Sequence, residues 1–182
     1  MNKHLSLLIL FLALFIPVFS QDDPPTADAI MNKAIQKAQD ENKHIFLMFH
    51  ASWCGWCKKM DKAMADDACR DFFEDNFVTI HMVVKESPAN KHLENPGADE
   101  LLAKYKGETS GIPFWLIFNK NGDFITDSFM KIVVGEEIKS GNIGCPATDE
   151  EVSAFIDKLK LVTQLTESEE KSITERFRQN RN

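Results

Sequence analysis

Trp53-Cys54-Gly55-Trp56-Cys57-Lys58-Lys59 is the stretch on which the reading of this chain turns. Ahead of it runs His44-Ile45-Phe46-Leu47-Met48-Phe49, apolar and too short for a helix, which predicts a buried strand. Behind it, residues 58–68 are dense in helix formers, with Met60, Ala63, Met64 and Ala68 at helical spacing. The two cysteines therefore fall where a strand ends and a helix begins. The first turn of a helix carries unpaired backbone N–H groups and the positive end of the helix dipole, and both favour a thiolate. A cysteine placed there has a lowered pKa and is a nucleophile near neutral pH. The second cysteine lies one turn on and can close a small disulfide with the first. Cys54, the N-terminal and more exposed of the two, is the candidate nucleophile, and Cys57 is the candidate resolving thiol. Trp53 and Trp56 shield the pair and offer a flat apolar surface to a partner, with Gly55 between them. A zinc site is the competing use of such a pair, but it needs about four ligands. No second Cys-x-x-Cys or paired histidines supply them.

Length and composition narrow the class. The chain has 182 residues without internal repeats, which favours one domain. Residues 1–20 stand apart: a short basic start, then residues 5–19 almost wholly apolar, then small residues Val18 and Ser20 at cleavage-site spacing. That is the pattern of a secretory signal peptide, and the apolar run is short for a spanning helix. No stable membrane association is expected once it is removed. Acidic residues outnumber basic ones, 28 to 21, with no basic stripe, so a nucleic-acid partner is not expected. All four cysteines, Cys54, Cys57, Cys69 and Cys145, follow the leader and enter a disulfide-permissive compartment. A core of this size needs no disulfide scaffold, so the compact pair is read as a working pair.

Taken in order, residues 21–25 form a polar, proline-bearing leader expected to be disordered. Thr26 can cap a helix whose apolar stripe includes Ile30, Met31, Ala34 and Ala38. The active-site helix is expected to break near Asp66-Asp67, before a short helical piece that carries Phe72 and Phe73 inward. Residues 77–84 predict a second buried strand, residues 86–97 a loop, and residues 98–106 a short helix. Strands follow at 114–118 and around 123–129, with 130–134 either extending the last strand or starting another. Thr148 to Glu151 and Thr166 to Glu169 are capping boxes that open two more helices. Only Ile173 and Phe177 give the last helix an apolar face, which predicts a charged tail over 164–182 that is loosely docked or contacts a partner. This order gives a mixed sheet with helices on both faces.

Ala51-Ser52-Trp53-Cys54-Gly55-Trp56-Cys57-Lys58-Lys59-Met60 resembles the active-site segment of the thioredoxin family, nearest to periplasmic thioredoxin-like proteins and the C-terminal domain of DsbD. Ser110-Gly111-Ile112-Pro113-Phe114-Trp115 is similar to the family's cis-proline loop and the strand after it. The resemblance spans residues 26–163. It implies a thioredoxin-like α/β fold, a central mixed sheet flanked by helices, with a tail helix added. It also implies a cis bond before Pro113, and a substrate segment pairing beside Ile112 and Pro113 by strand addition. Two departures stand out. Gly55-Trp56 replaces Gly-Pro between the cysteines, and Met48 occupies the place of a buried aspartate that helps deprotonate the resolving thiol. Asp61, one turn after Cys57, matches a glutamate of the DsbD domain and is the candidate proton acceptor, the alternative being a solvated surface acid.

The expected activity is therefore thiol–disulfide exchange on protein substrates without a cofactor, in the reducing direction. The expected place is outside the cytoplasm, in a bacterial periplasm, with a membrane reductant conductor of the DsbD kind as electron donor. The rivals are the same chemistry run as oxidation or isomerisation, a non-catalytic binding module, and a metal chaperone. Among the other candidates, His50 is either a cation near the pair or a packed ring, and Lys58 and Lys59 would favour the thiolate. Cys69 is expected to be a small buried hydrophobe. Cys145 is expected in a loop bordering the groove, where it is either a third regulatory thiol or a plain loop cysteine. A bridge between Cys69 and Cys145 is not expected.

Overall fold

The computed structural model describes residues 23–134 and 137–181, so the expected signal peptide over residues 1–20 lies outside the described residues. Thr26 caps α1 (Ala27–Glu41), its side-chain oxygen accepting from Ala29 N–H, and Asn42 closes the helix in the left-handed conformation. Just ahead of that cap, the Pro25 carbonyl accepts a hydrogen bond from the Asn95 side chain at 2.9 Å.

Strand β1 (His44–His50) lies at the centre, buried along almost its whole length. It pairs in parallel with β2 (Phe77–Val83) and antiparallel with β3 (Phe114–Phe118), which in turn pairs antiparallel with β4 (Phe124–Asp127). The order β2-β1-β3-β4 is a mixed sheet. Alternation along the strands sends side chains to two cores. Phe46, Met48, Trp115 and Ile117 face α2 (Gly55–Met64), α3 (Arg70–Asn76) and α5 (Asp149–Lys160). Ile45, Leu47, Phe49, Phe114, Leu116 and Phe118 face α1 and α4 (Ala98–Lys104). The sheet thus carries helices on both faces, and the parallel pair β1–β2 is joined through α2 and α3. The active-site helix ends at Ala65, close to the expected break.

Of the two alternatives for residues 130–134, the structure takes the new strand, β5 (Phe129–Val134), and its partner β6 (Glu137–Asn142), in a separate two-stranded sheet, was not expected. The second strand, Glu-Ile-Lys-Ser-Gly-Asn, lies on the surface, so it carries no buried alternation to read. The tail is a larger correction. Helix α6 (Glu167–Arg178) is docked, with Ile173 and Phe177 fully buried. The Phe177 ring sits 5.0 Å from Phe155 and 6.1 Å from Phe73, inside the core beneath the active-site helix. Arg176 joins it by pairing its Nε with Asp66 at 2.8 Å. Two full apolar side chains, each worth roughly 1.5–3 kcal/mol when buried, suffice to hold a three-turn helix.

Candidate redox site

Cys54 is the N-cap of α2, and its sulfur accepts the Cys57 N–H at 3.1 Å. A thiolate there would take a backbone donor and the helix dipole together. Cys54 and Cys57 form a disulfide, their Cα atoms 5.3 Å apart. Both are buried, Cys54 3% and Cys57 1% exposed, so the expected exposure of Cys54 is corrected to a marginal difference. The cover is the proline loop: the Cys54 sulfur lies 3.5 Å from the Ile112 carbonyl oxygen. Trp53 and Trp56 are about half exposed, at 57% and 48%, and frame the pair as a flat apolar surface.

The Ile112–Pro113 peptide is cis. What holds this loop was not legible beforehand. The Asn142 side-chain amide donates to the carbonyls of Gly111 at 2.8 Å and Pro113 at 3.0 Å. Its own oxygen accepts from Ser128 Oγ and Gly144 N–H. Gly144 sits at φ +58, and a Cβ there would come within 3.4 Å of the Pro113 carbonyl, so the close approach favours glycine. Between these walls and Trp56 runs a groove of about 210 Å³, floored by Ile112, Pro113, Ile143 and Ala147.

A second device ties the cysteine loop to the proline loop. Glu86 accepts from both the backbone N–H and the hydroxyl of Ser52, at 2.5 and 2.8 Å. The Lys85 carbonyl accepts the Trp53 indole N–H at 2.9 Å, while Lys85 Nζ donates to the Ser110 carbonyl at 2.6 Å. Burial works to raise the Glu86 carboxyl, but the Ser52 and Ser87 donors and nearby His50 outweigh it and hold it below its ordinary value. A charged residue directly after a buried strand was the one signal that could have flagged this pair.

Asp61 turns its Oδ1 to His81 Nε2, 2.8 Å away, and the His81 ring stands edge-on to His50 with centroids 5.1 Å apart. Burial first, then the neighbouring His81, lowers the His50 pKa from its ordinary value. Met48 lies on the same sheet face, in register with His81 on the adjacent strand. Lys59 lies over the Trp56 ring at 4.7 Å and donates to the Asn180 carbonyl.

The other two cysteines are free thiols and unbridged. Cys145 lines the groove beside Pro113, as its expected loop position required, but it is buried there. Burial pushes its thiol up to about 12, and Asn180 Nδ2 donates to its sulfur at 3.3 Å. Cys69 is also buried, its thiol pushed up to about 11 by desolvation and then by Asp66. Its sulfur lies 3.9 Å from the Ser172 carbonyl of α6.

Residues 26–120 match the thioredoxin-like family. An uncharacterised protein of Caenorhabditis elegans is 37% identical over 84 residues, which are 46% of this chain and 10% of that protein. The chain thus spans only about a tenth of the length of this curated relative. Among solved structures, a disulphide isomerase from Xylella fastidiosa is 23% identical, aligned over 63% of this chain and 80% of its own, with a TM-score of 0.45. The oxidised C-terminal domain of DsbD from Neisseria meningitidis is 16% identical, covering 78% of this chain and all of its own, with a TM-score of 0.44. Over more than half its length, from the capped first helix through both landmark loops, this chain belongs to the thioredoxin-like family.

Proposed function

We propose that this protein reduces disulfides of protein substrates, with Cys54 as nucleophile and Cys57 as resolving thiol. The observation that carries the reading is the Cys54 sulfur at a helix N-terminus, 3.5 Å from the carbonyl of the cis-proline loop. An extended substrate strand laid along Ile112 brings its own disulfide to that sulfur. The Cys54 thiolate attacks, a mixed disulfide forms, and one substrate thiolate leaves. Cys57 then attacks the Cys54 sulfur, closing the intramolecular disulfide and releasing the second substrate thiolate, so two electrons pass to the substrate. Asp61 is the acceptor proposed for the Cys57 proton. Trp53, Gly55 and Trp56, with Ile112 and Pro113, form the contact surface.

The reducing direction is supported by electrostatics. The dipeptide between the cysteines, Gly55-Trp56, brings no cation to the sulfurs, and the Glu86 carboxylate sits on Ser52, two residues before Cys54. Less thiolate stabilisation means a more stable disulfide and a lower potential. The apolar leader over residues 1–20 supports export, and a reductase in an oxidising compartment needs re-reduction, for which a membrane conductor of the DsbD kind is proposed. Insulin reduction by wild type against Cys54→Ser tests the chemistry, and equal rates would sink it. A measured potential near about −270 mV supports a reductase, and one near about −120 mV indicates an oxidant instead. Recovery of a periplasmic protein beginning after Ser20 would support the location; a full-length cytoplasmic product would overturn it.

A further inference from the structure

Cys57 is 1% exposed, and resolution of the mixed disulfide requires it as a thiolate. Its proton therefore needs a defined acceptor. The strand beneath this helix offers none next to the pair: β1 presents Phe46 and Met48 on that face before it reaches His50. Asp61 follows Cys57 by one helical turn, which puts the two residues on the same face of α2. One of its oxygens is taken by His81 Nε2 at 2.8 Å. His81 itself projects from β2 at the position in register with Met48, on the helix-facing side of the sheet.

We infer that His81 is the positioning residue for Asp61, orienting its carboxylate toward Cys57 and carrying the accepted proton on to solvent. The inference rests on the disulfide-exchange reading proposed above. In the forward step the Cys57 S–H bond breaks as Asp61 takes the proton, and the freed thiolate forms the bond to the Cys54 sulfur. The Cys54–substrate bond breaks and its electron pair leaves on the substrate thiolate. The proton on Asp61 passes to the His81 imidazole, leaving an ion pair, and then to water. The proton has a way out, because Asp61 borders an open groove of about 540 Å³ between the sheet edge and the helices beside it. The charged groups facing it there are Lys37, Glu41 and Lys43 from the α1 side and Arg70 and Glu74 from α3, of mixed sign. His50, edge-on against His81 with its pKa lowered by burial, faces the dyad from β1. Histidine suits the relay because imidazole changes charge within the working pH range.

The test separates resolution from first attack. Reduced protein is mixed with a disulfide peptide carrying a fluorescent leaving group, and mixed-disulfide formation and decay are followed by rapid acid quench from pH 5.5 to 8. His81→Gln keeps a hydrogen-bond donor and removes the titration. It is expected to slow decay about tenfold and to flatten the pH profile of decay through the range where imidazoles titrate, leaving formation unchanged. Asp61→Asn is expected to slow decay about a hundredfold, and the double variant no further, because His81 acts through Asp61. If either variant folds poorly, the wild-type decay profile decides alone. An inflection in the imidazole range supports the relay, and a profile without one overturns it. Decay of His81→Gln at the wild-type rate with an unchanged profile overturns the inference while leaving Cys54-dependent reduction standing. Absence of any Cys54-dependent mixed disulfide in wild type overturns both.

Discussion

The four cysteines are buried almost alike, at 3%, 1%, 2% and 6% exposure for Cys54, Cys57, Cys69 and Cys145, yet they sit in two chemical worlds. Cys54 and Cys57 occupy a helix N-terminus, where a backbone N–H already points at sulfur. Cys69 and Cys145 are covered by the tail, the first against the Ser172 carbonyl and the second under the Asn180 amide. Desolvation alone raises a thiol pKa, and at these two sites nothing outweighs it. Burial therefore does not separate a working thiol from an inert one. What differs is the setting, a helix N-terminus for the pair and the docked tail for the other two.

The sharpest break of this contrast is by substitution. Cys54→Ser should bring disulfide reduction down to the uncatalysed background, whereas Cys69→Ser and Cys145→Ser should keep it within about twofold, as an insulin turbidity assay would show. Loss of activity in Cys145→Ser would move that residue into the working pair. Alkylation rates sharpen the same point. At pH 8 a thiol of pKa about 11 is ionised to roughly one part in a thousand, and one of about 12 to roughly one in ten thousand. Mass-resolved labelling of the reduced native protein should thus modify Cys54 at least about a hundredfold faster than Cys69 or Cys145.

Phe177→Ala attacks the cover itself. It should cost about 3–5 kcal/mol in denaturant unfolding and bring the labelling of Cys69 and Cys145 toward that of free thiols. Unchanged labelling would mean that the tail does not guard them. Asn180→Ala is milder, removing three side-chain hydrogen bonds for about 1–3 kcal/mol, and should speed labelling of Cys145 while leaving Cys69 as it was. The smallest effect concerns acid. Glu86 is held below its ordinary value of 4.5, so its contribution is present above that pH and is lost as pH falls through the lowered folded value. Thermal unfolding should show a midpoint that drops below about pH 4.5, and Glu86→Gln should shallow that drop.

Much of this was legible because it is local. Thr26, Thr148 and Thr166 announce their helices through side chains three residues from their targets. The Cys-x-x-Cys between an apolar run and a helical run marks both fold and chemistry. What escaped is what acts at a distance. Asn142 grips the proline loop from 29 and 31 residues away, and nothing about an asparagine in a Gly-Asn pair distinguishes a clamp from a turn. Glu86 reaches Ser52 across 34 residues, and His81 looked like any strand histidine until the helix above it was in place. The tail was underestimated because two apolar side chains look sparse in a charged helix, while their worth depends on the aromatic pocket that receives them.

One contact carries a consequence for how the molecule is made. Lys59, in the helix of the redox pair, is tied to Asn180, 121 residues further along the chain. A chain that appears N-terminus first at about 5–20 residues per second therefore makes this contact roughly 6–24 s after the redox helix has appeared. Within that interval Cys69, and later Cys145, stand open to the same oxidants as the working pair. Docking of the tail is thus a late step relative to synthesis of the redox helix, and the two free thiols depend on it for their cover.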